Sequence, residues 1–102
     1  MLPIIREIAD ELSQVSTVEA VMLFGSRARG DHWERSDIDL AVVCPNASRE
    51  EWHKMIDVVD DARTLFKIDL VRFDDAPESM KKEILSEGIP LYEREESRPV
   101  HA

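Results

Sequence analysis

The stretch FGSRARGDHWERSDIDL, residues 24–40, opens on a Gly-Ser pair and closes on two aspartates, Asp37 and Asp39, with one residue between them. It joins two apolar runs. Upstream, residues 18–24 (VEAVMLF) are short and rich in β-formers, which reads as a central strand buried on both faces. Gly25 ends that run, Ser26 can start a short helix, Gly30 can stop it, and residues 31–36 are polar enough for a loop. Downstream, residues 37–43 (DIDLAVV) read as a second strand, closed by Pro45 and Asn46.

The same reading extends outward. Ile4, Ile5, Ile8, Leu12 and Val15 fall on one stripe, so residues 3–15 are expected to be helical, with Pro3 in the first turn. Residues 49–65 form the longest helical pattern, with Trp52, Met55, Ile56, Val59, Ala62 and Phe66 at helical spacing. Residues 67–73 (KIDLVRF) read as a third strand. Asp75 can cap a helix over residues 76–87, Gly88 lies just past its end, and residues 89–93 can add a last strand. The expected fold is α/β, a small mixed sheet of about four strands flanked by helices. One domain over residues 1–94 and a flexible tail over residues 95–102 account for the chain.

Composition narrows the function. The 102 residues are 43% apolar, enough for one packed core, and no apolar run approaches a membrane span. The start shows no charged-then-apolar leader, and Cys44, the one cysteine, has no partner for a disulfide, so a reducing cytoplasm is the default expectation. A net charge of −9 argues against gripping nucleic acid by its phosphates. It suits divalent cations, a small ligand carried with a metal, or a basic protein partner.

In a strand, residues two apart share a face, which sets Asp37 beside Asp39. Two such carboxylates stay ionised together only with positive charge between them, and Mg²⁺ prefers a few carboxylates plus waters and phosphates. Asp69 stands in a similar setting between Ile68 and Leu70. On a neighbouring strand it could complete a cluster able to hold two metals about 3.5–4 Å apart, or take a proton from an attacking hydroxyl. At the other end of the loop, Gly25 allows a close backbone approach, and Ser26 offers a hydroxyl and amides to an anion. Arg27 and Arg29 add positive charge nearby. The spacing is neither a P-loop nor a dinucleotide fingerprint. Phosphate donors at one end and metal ligands at the other describe a site for a metal-bound nucleoside triphosphate.

GSRARGDHWERSDID also resembles the polymerase-β-like nucleotidyltransferase signature: Gly-Ser, ten residues, then Asp-x-Asp. KIDLV resembles the strand carrying that superfamily's third carboxylate, and GSRARG, SDIDLAVV and EGIPLYER are similar to the minimal nucleotidyltransferases (MNT), many of them antitoxins paired with HEPN-domain toxins. The resemblance implies that Gly25 and Ser26 hold the triphosphate, that Asp37, Asp39 and Asp69 bind two Mg²⁺ and carry catalysis, and that Arg27 and Arg29 contact phosphate or form structural ion pairs. It implies ATP as donor, a HEPN toxin as partner in a hetero-oligomer, and AMP transfer to a tyrosine hydroxyl of that toxin. An antitoxin that neutralises by binding alone, and a transferase acting on a small molecule such as an aminoglycoside, are the alternatives. A nucleic-acid acceptor would need added domains, and a small-molecule acceptor an added helical domain or a dimer, so the acceptor is expected to be supported by another subunit.

Other residues carry lesser expectations. Cys44, Trp52 and Phe66 read as core; Trp33 either stacks on a base or packs beneath its loop; Lys81 and Lys82 lie on an exposed helix face. His53 and His101 have no metal-site pattern.

Overall fold

The β-branched and apolar runs form strands as the pattern predicts. In the computed structural model, which describes residues 1–95, β1 (Ala20–Phe24) lies antiparallel to β2 (Ile38–Val43), and β2 lies parallel to β3 (Ile68–Arg72). β4 (Ile89–Glu93) pairs antiparallel with the other edge of β1, giving a four-stranded mixed sheet in the order β3-β2-β1-β4. The parallel pair needs a crossover, which α3 (Arg49–Asp60) supplies. Among the described residues, four α-helices accompany the sheet: α1 (Pro3–Leu12), the short α2 (Ser26–Arg29), α3 and α4 (Glu78–Glu87).

Alternation along the strands divides the core in two. Val21, Leu23, Ile38, Leu40 and Val42 pack with Ile5, Ile8 and Leu12 of α1 and Met55 of α3. Each such side chain, fully buried, contributes about 1.5–3 kcal/mol. The other face is thinner: Phe24 and Ala41 meet Ile84 of α4, with Met22, Val71, Phe73 and Met80 against them. Asp39 and Asp69 alternate with the first set, so they belong to the α4 face. The layout therefore puts the large core behind the carboxylates and leaves their side lightly covered. Among the described residues, no helix is long and apolar enough to cross a membrane.

Several element ends differ from the pattern. α1 stops at Leu12 instead of residue 15, because the Ser13 hydroxyl donates to the Asp10 carbonyl (2.6 Å) and the chain turns; Val15 still packs on the core from that turn. α3 begins at a capping box, in which Ser48 Oγ accepts the Glu51 N–H (3.1 Å) and Glu51 Oε1 accepts the Ser48 N–H (3.0 Å). It ends at Asp60, not at residue 65. Asp57, Asp60 and Asp61 crowd its negative end, and Thr64 Oγ1 takes the Phe66 N–H (3.1 Å), a side-chain bond that competes with helix. Phe66 reaches the core from that loop.

Asp75 does not cap α4. It lies in a 3₁₀ turn (Phe73–Asp75), and Pro77 takes the N-cap position with no side-chain hydrogen bond. Its neighbour Asp74 instead accepts the Cys44 N–H at 3.2 Å. Cys44 is buried, as expected. The tail expected over residues 95–102 lies outside the described residues beyond Glu95, and so does His101.

Candidate active site

β1 delivers the chain to Gly25, whose φ of 75° and ψ of −157° suit only glycine. The Gly25 carbonyl accepts the N–H groups of Ala28 and Arg29 (both 3.1 Å), which starts α2. Gly30, at φ 84°, closes α2 in the left-handed conformation. A helix's first turn leaves N–H groups without intrahelical acceptors, and here Ser26 adds its hydroxyl. Gly25 is needed for space as well: a Cβ there would run into Asp39 Oδ2 and sit 3.2 Å from its Cγ. The β1–β2 register, Phe24 opposite Asp39, produces this contact.

Across the parallel pair, Asp39 is in register with Asp69. Burial pushes the Asp39 carboxyl up to about 6; the charges of Asp69, Asp37 and Glu83 and a hydrogen bond with Asp69 push the same way. Asp39 thus stands beside Asp69 on one face of the sheet, and their like charges oppose its ionisation. Asp37 differs from expectation in one respect. It stands one residue before β2, exposed, and acts on Asp39 through charge. Lys67 Nζ lies 3.8 Å from Asp69 Oδ1. The three acids share a neighbourhood, but among the described residues no three His, Cys, Asp or Glu side chains converge into a ready-made metal site. Two facing carboxyls that repel, with a third at the loop end, fit a divalent ion that draws its remaining ligands from phosphate and water.

The two arginines have distinct places. Arg27 points back over the loop: Nε donates to the Ser36 carbonyl (3.0 Å), and Nη2 donates to the carbonyls of Ser36 (2.9 Å) and Glu34 (3.1 Å). Its guanidinium also stacks 4.8 Å above the Phe66 ring. Arg27 therefore fixes the loop that delivers Asp37, a positioning role. Arg27→Ala is expected to cost about 1–3 kcal/mol in thermal or denaturant unfolding, and Arg27→Lys should not restore it, since a lysine lacks the planar fork. Arg29 bonds Asp31 at 3.2 Å and reaches Glu83 and Glu87 of α4, both at 3.5 Å. It is partly exposed and ties α2 to α4.

Some of this was invisible in the sequence. Glu83, which presses on Asp39 from α4, has no local signal. Lys67 had one, two residues before Asp69 and hence on the same strand face. Trp33 is 81% exposed, so it does not pack beneath its loop. Lys82 is exposed, whereas Lys81 is half-buried over the Phe73 ring at 5.7 Å. A cleft of about 460 Å³ opens beside Asp37 and Lys67, with Arg35, Leu65 and Phe66 on its walls.

Comparison with known proteins bears on the fold and the family. Among solved structures the chain resembles a toxin–antitoxin crystallised with AMP-PNP, at TM-score 0.64 and 22% identity, over 93% of this chain and 77% of that one. It also resembles a candidate nucleotidyltransferase from Sulfolobus solfataricus, at TM-score 0.60 and 26% identity, over 98% and 86% of the two chains. A third likeness is to the complex of tri-AMPylated Shewanella oneidensis HEPN toxin with MNT antitoxin, at TM-score 0.54 and 18% identity, over 89% and 74%. No curated protein matches the chain. Residues 6–97 match the family described as Polymerase beta, Nucleotidyltransferase. With that match over most of its length, the chain belongs to the polymerase β nucleotidyltransferase family.

Proposed function

We propose that this protein is an antitoxin nucleotidyltransferase that moves AMP from ATP to a tyrosine hydroxyl of a HEPN-domain toxin in the cytoplasm. The observation that carries the reading is the contact of the Gly25 backbone with Asp39, in register with Asp69, in a chain of this family. Two structural relatives support the choice of donor and acceptor: one is a toxin–antitoxin with AMP-PNP, the other contains a tri-AMPylated HEPN toxin with its MNT antitoxin.

Gly25 and Ser26 hold the triphosphate through backbone amides and the Ser26 hydroxyl. Asp37, Asp39 and Asp69 hold Mg²⁺, two ions in this reading, which supply charge neutralisation at the phosphates. Asp69, on the outer strand of the three, accepts the proton of the attacking hydroxyl. The oxygen bonds to the α-phosphorus, the bond to the bridging oxygen breaks, and pyrophosphate leaves. In-line attack sets the leaving group and the acceptor on opposite sides of the α-phosphorus, and in this reading the acceptor enters from the cleft beside Asp37 and Lys67. Arg27 keeps the loop in place, and Arg29 steadies α2 behind the phosphates.

Incubating the protein with α-labelled ATP, Mg²⁺ and a HEPN protein encoded beside it is expected to label the HEPN protein. An unlabelled HEPN protein overturns the reading. A second reading, neutralisation by binding alone, draws on one observation: the three acids do not converge without a ligand. An Asp37→Asn protein that still protects cells at ordinary expression would favour it.

A further inference from the structure

The carboxylates lie on the α4 face of the sheet. On the opposite face, α1 and α3 leave between them a groove of about 600 Å³. Its floor is apolar: Ile4, Val58 and Ala62 are half-buried there beside the buried Ile8. Its rim is acidic. Glu7, Asp10 and Glu11 come from α1 and Asp61 from the end of α3, against one cation, Arg63. All five are exposed.

Among the described residues, the ion pairs fall on Arg29, Lys67, Arg72 and Arg94, and no rim acid belongs to one. Helix electrostatics make the placement costlier. Asp10 and Glu11 occupy the last turn of α1, and Asp61 is the C-cap of α3; both helices are negative at that end, and neither has a basic residue in its last turn. Acids held against the dipole without a counter-charge lower stability, and they leave the rim open to a cation from outside the chain.

We propose that this groove docks a basic amphipathic helix of a protein partner, its apolar side chains on Ile4, Val58 and Ala62 and its Lys or Arg residues on the acidic rim. Charge complementarity selects this occupant. A second copy of a chain carrying −9 would set acid against acid, and a nucleic-acid backbone is repelled in the same way. The groove lies across the sheet from Asp39 and Asp69, so docking here is independent of which hydroxyl the site modifies.

The test is amide NMR of the whole chain titrated with a synthetic helical peptide of leucine and lysine, beside a leucine–glutamate control. The basic peptide is expected to give saturable shifts at Ile4, Ile8, Val58 and Ala62, weakening with salt, and the acidic one none. The triple variant Glu7→Gln, Asp10→Asn, Asp61→Asn should bind roughly tenfold more weakly or worse. Its Tm should be unchanged or higher, which shows that it folds. The matched variant Glu50→Gln, Glu78→Gln, Glu93→Gln should bind as the parent does. Absent binding, shifts centred on the Asp37–Asp39–Asp69 face, equal weakening in both variants, or a dimer of the free chain that closes the groove would each overturn the proposal.

Discussion

Replacing Asp39 with Asn is expected to make the protein more stable while abolishing transfer. The Asp39 carboxyl moves from an ordinary 3.8 to about 6 on folding, because burial and the charges of Asp69, Asp37 and Glu83 disfavour its ionised form. The folded state therefore binds that proton more tightly than the unfolded state does. Stability contributed at this position is present at acid pH and is lost as pH rises from about 4 through about 6. Discounted for partial exposure, the loss is about 1–2 kcal/mol. An asparagine never ionises and escapes it. Thermal melts of both proteins should nearly coincide at acid pH, with the variant melting roughly 5 °C higher near pH 7.5. The same change removes a metal ligand of the proposed mechanism, and label transfer should fall by about 10³-fold or more. A variant that melts lower than the parent near neutral pH would show that the carboxylate is not under repulsion.

Gly25→Ala is expected to damage both folding and chemistry. Its φ of 75° is unfavourable for alanine, and the new methyl would occupy the place of Asp39 Oδ2. Relief requires β1 to shift or Asp39 to swing away. Backbone strain and the clash together should cost on the order of 2–4 kcal/mol in denaturant unfolding. If the fold survives, a displacement of about 1 Å at Asp39 lowers transfer by roughly 10²-fold. A contrast with Gly30→Ala separates the two causes. Gly30 shares the positive φ, 84°, but a Cβ there meets nothing within 4 Å. Gly30→Ala should therefore lose about 1 kcal/mol and keep most activity.

The three strands carrying the site were legible because each is a short apolar run bounded by turn residues, and because aspartate in such a run needs a reason. The parallel pairing that sets Asp39 opposite Asp69 was only inferable: it depends on α3 crossing the sheet, which a local pattern does not encode. Helix ends were read too long where a stripe continued past its helix. Val15 and Phe66 keep the periodicity yet reach the core from turns, since packing selects the side chain and not the backbone state. Arg27 had two readings, phosphate contact or structural ion pair, and its bonds run instead to the carbonyls of Glu34 and Ser36. Those acceptors are main-chain atoms, on which sequence is silent. Glu83 was missed for a related reason: its relation to Asp39 exists only once α4 has folded back onto the sheet.

The crossover through α3 also orders events in time. β1, its turn and β2 are near neighbours along the chain and can pair as soon as they emerge from the ribosome. Asp69 joins Asp39 only after α3 has been made and β3 has docked alongside β2. That parallel, non-local pairing is the kind of contact that closes slowly. Until it closes, β2 is an open sheet edge, the surface on which a stalled chain would aggregate. The acid pair thus waits on a long-range contact, so transfer activity in a refolding or translation assay should lag behind helix formation and mark the docking of β3 on β2.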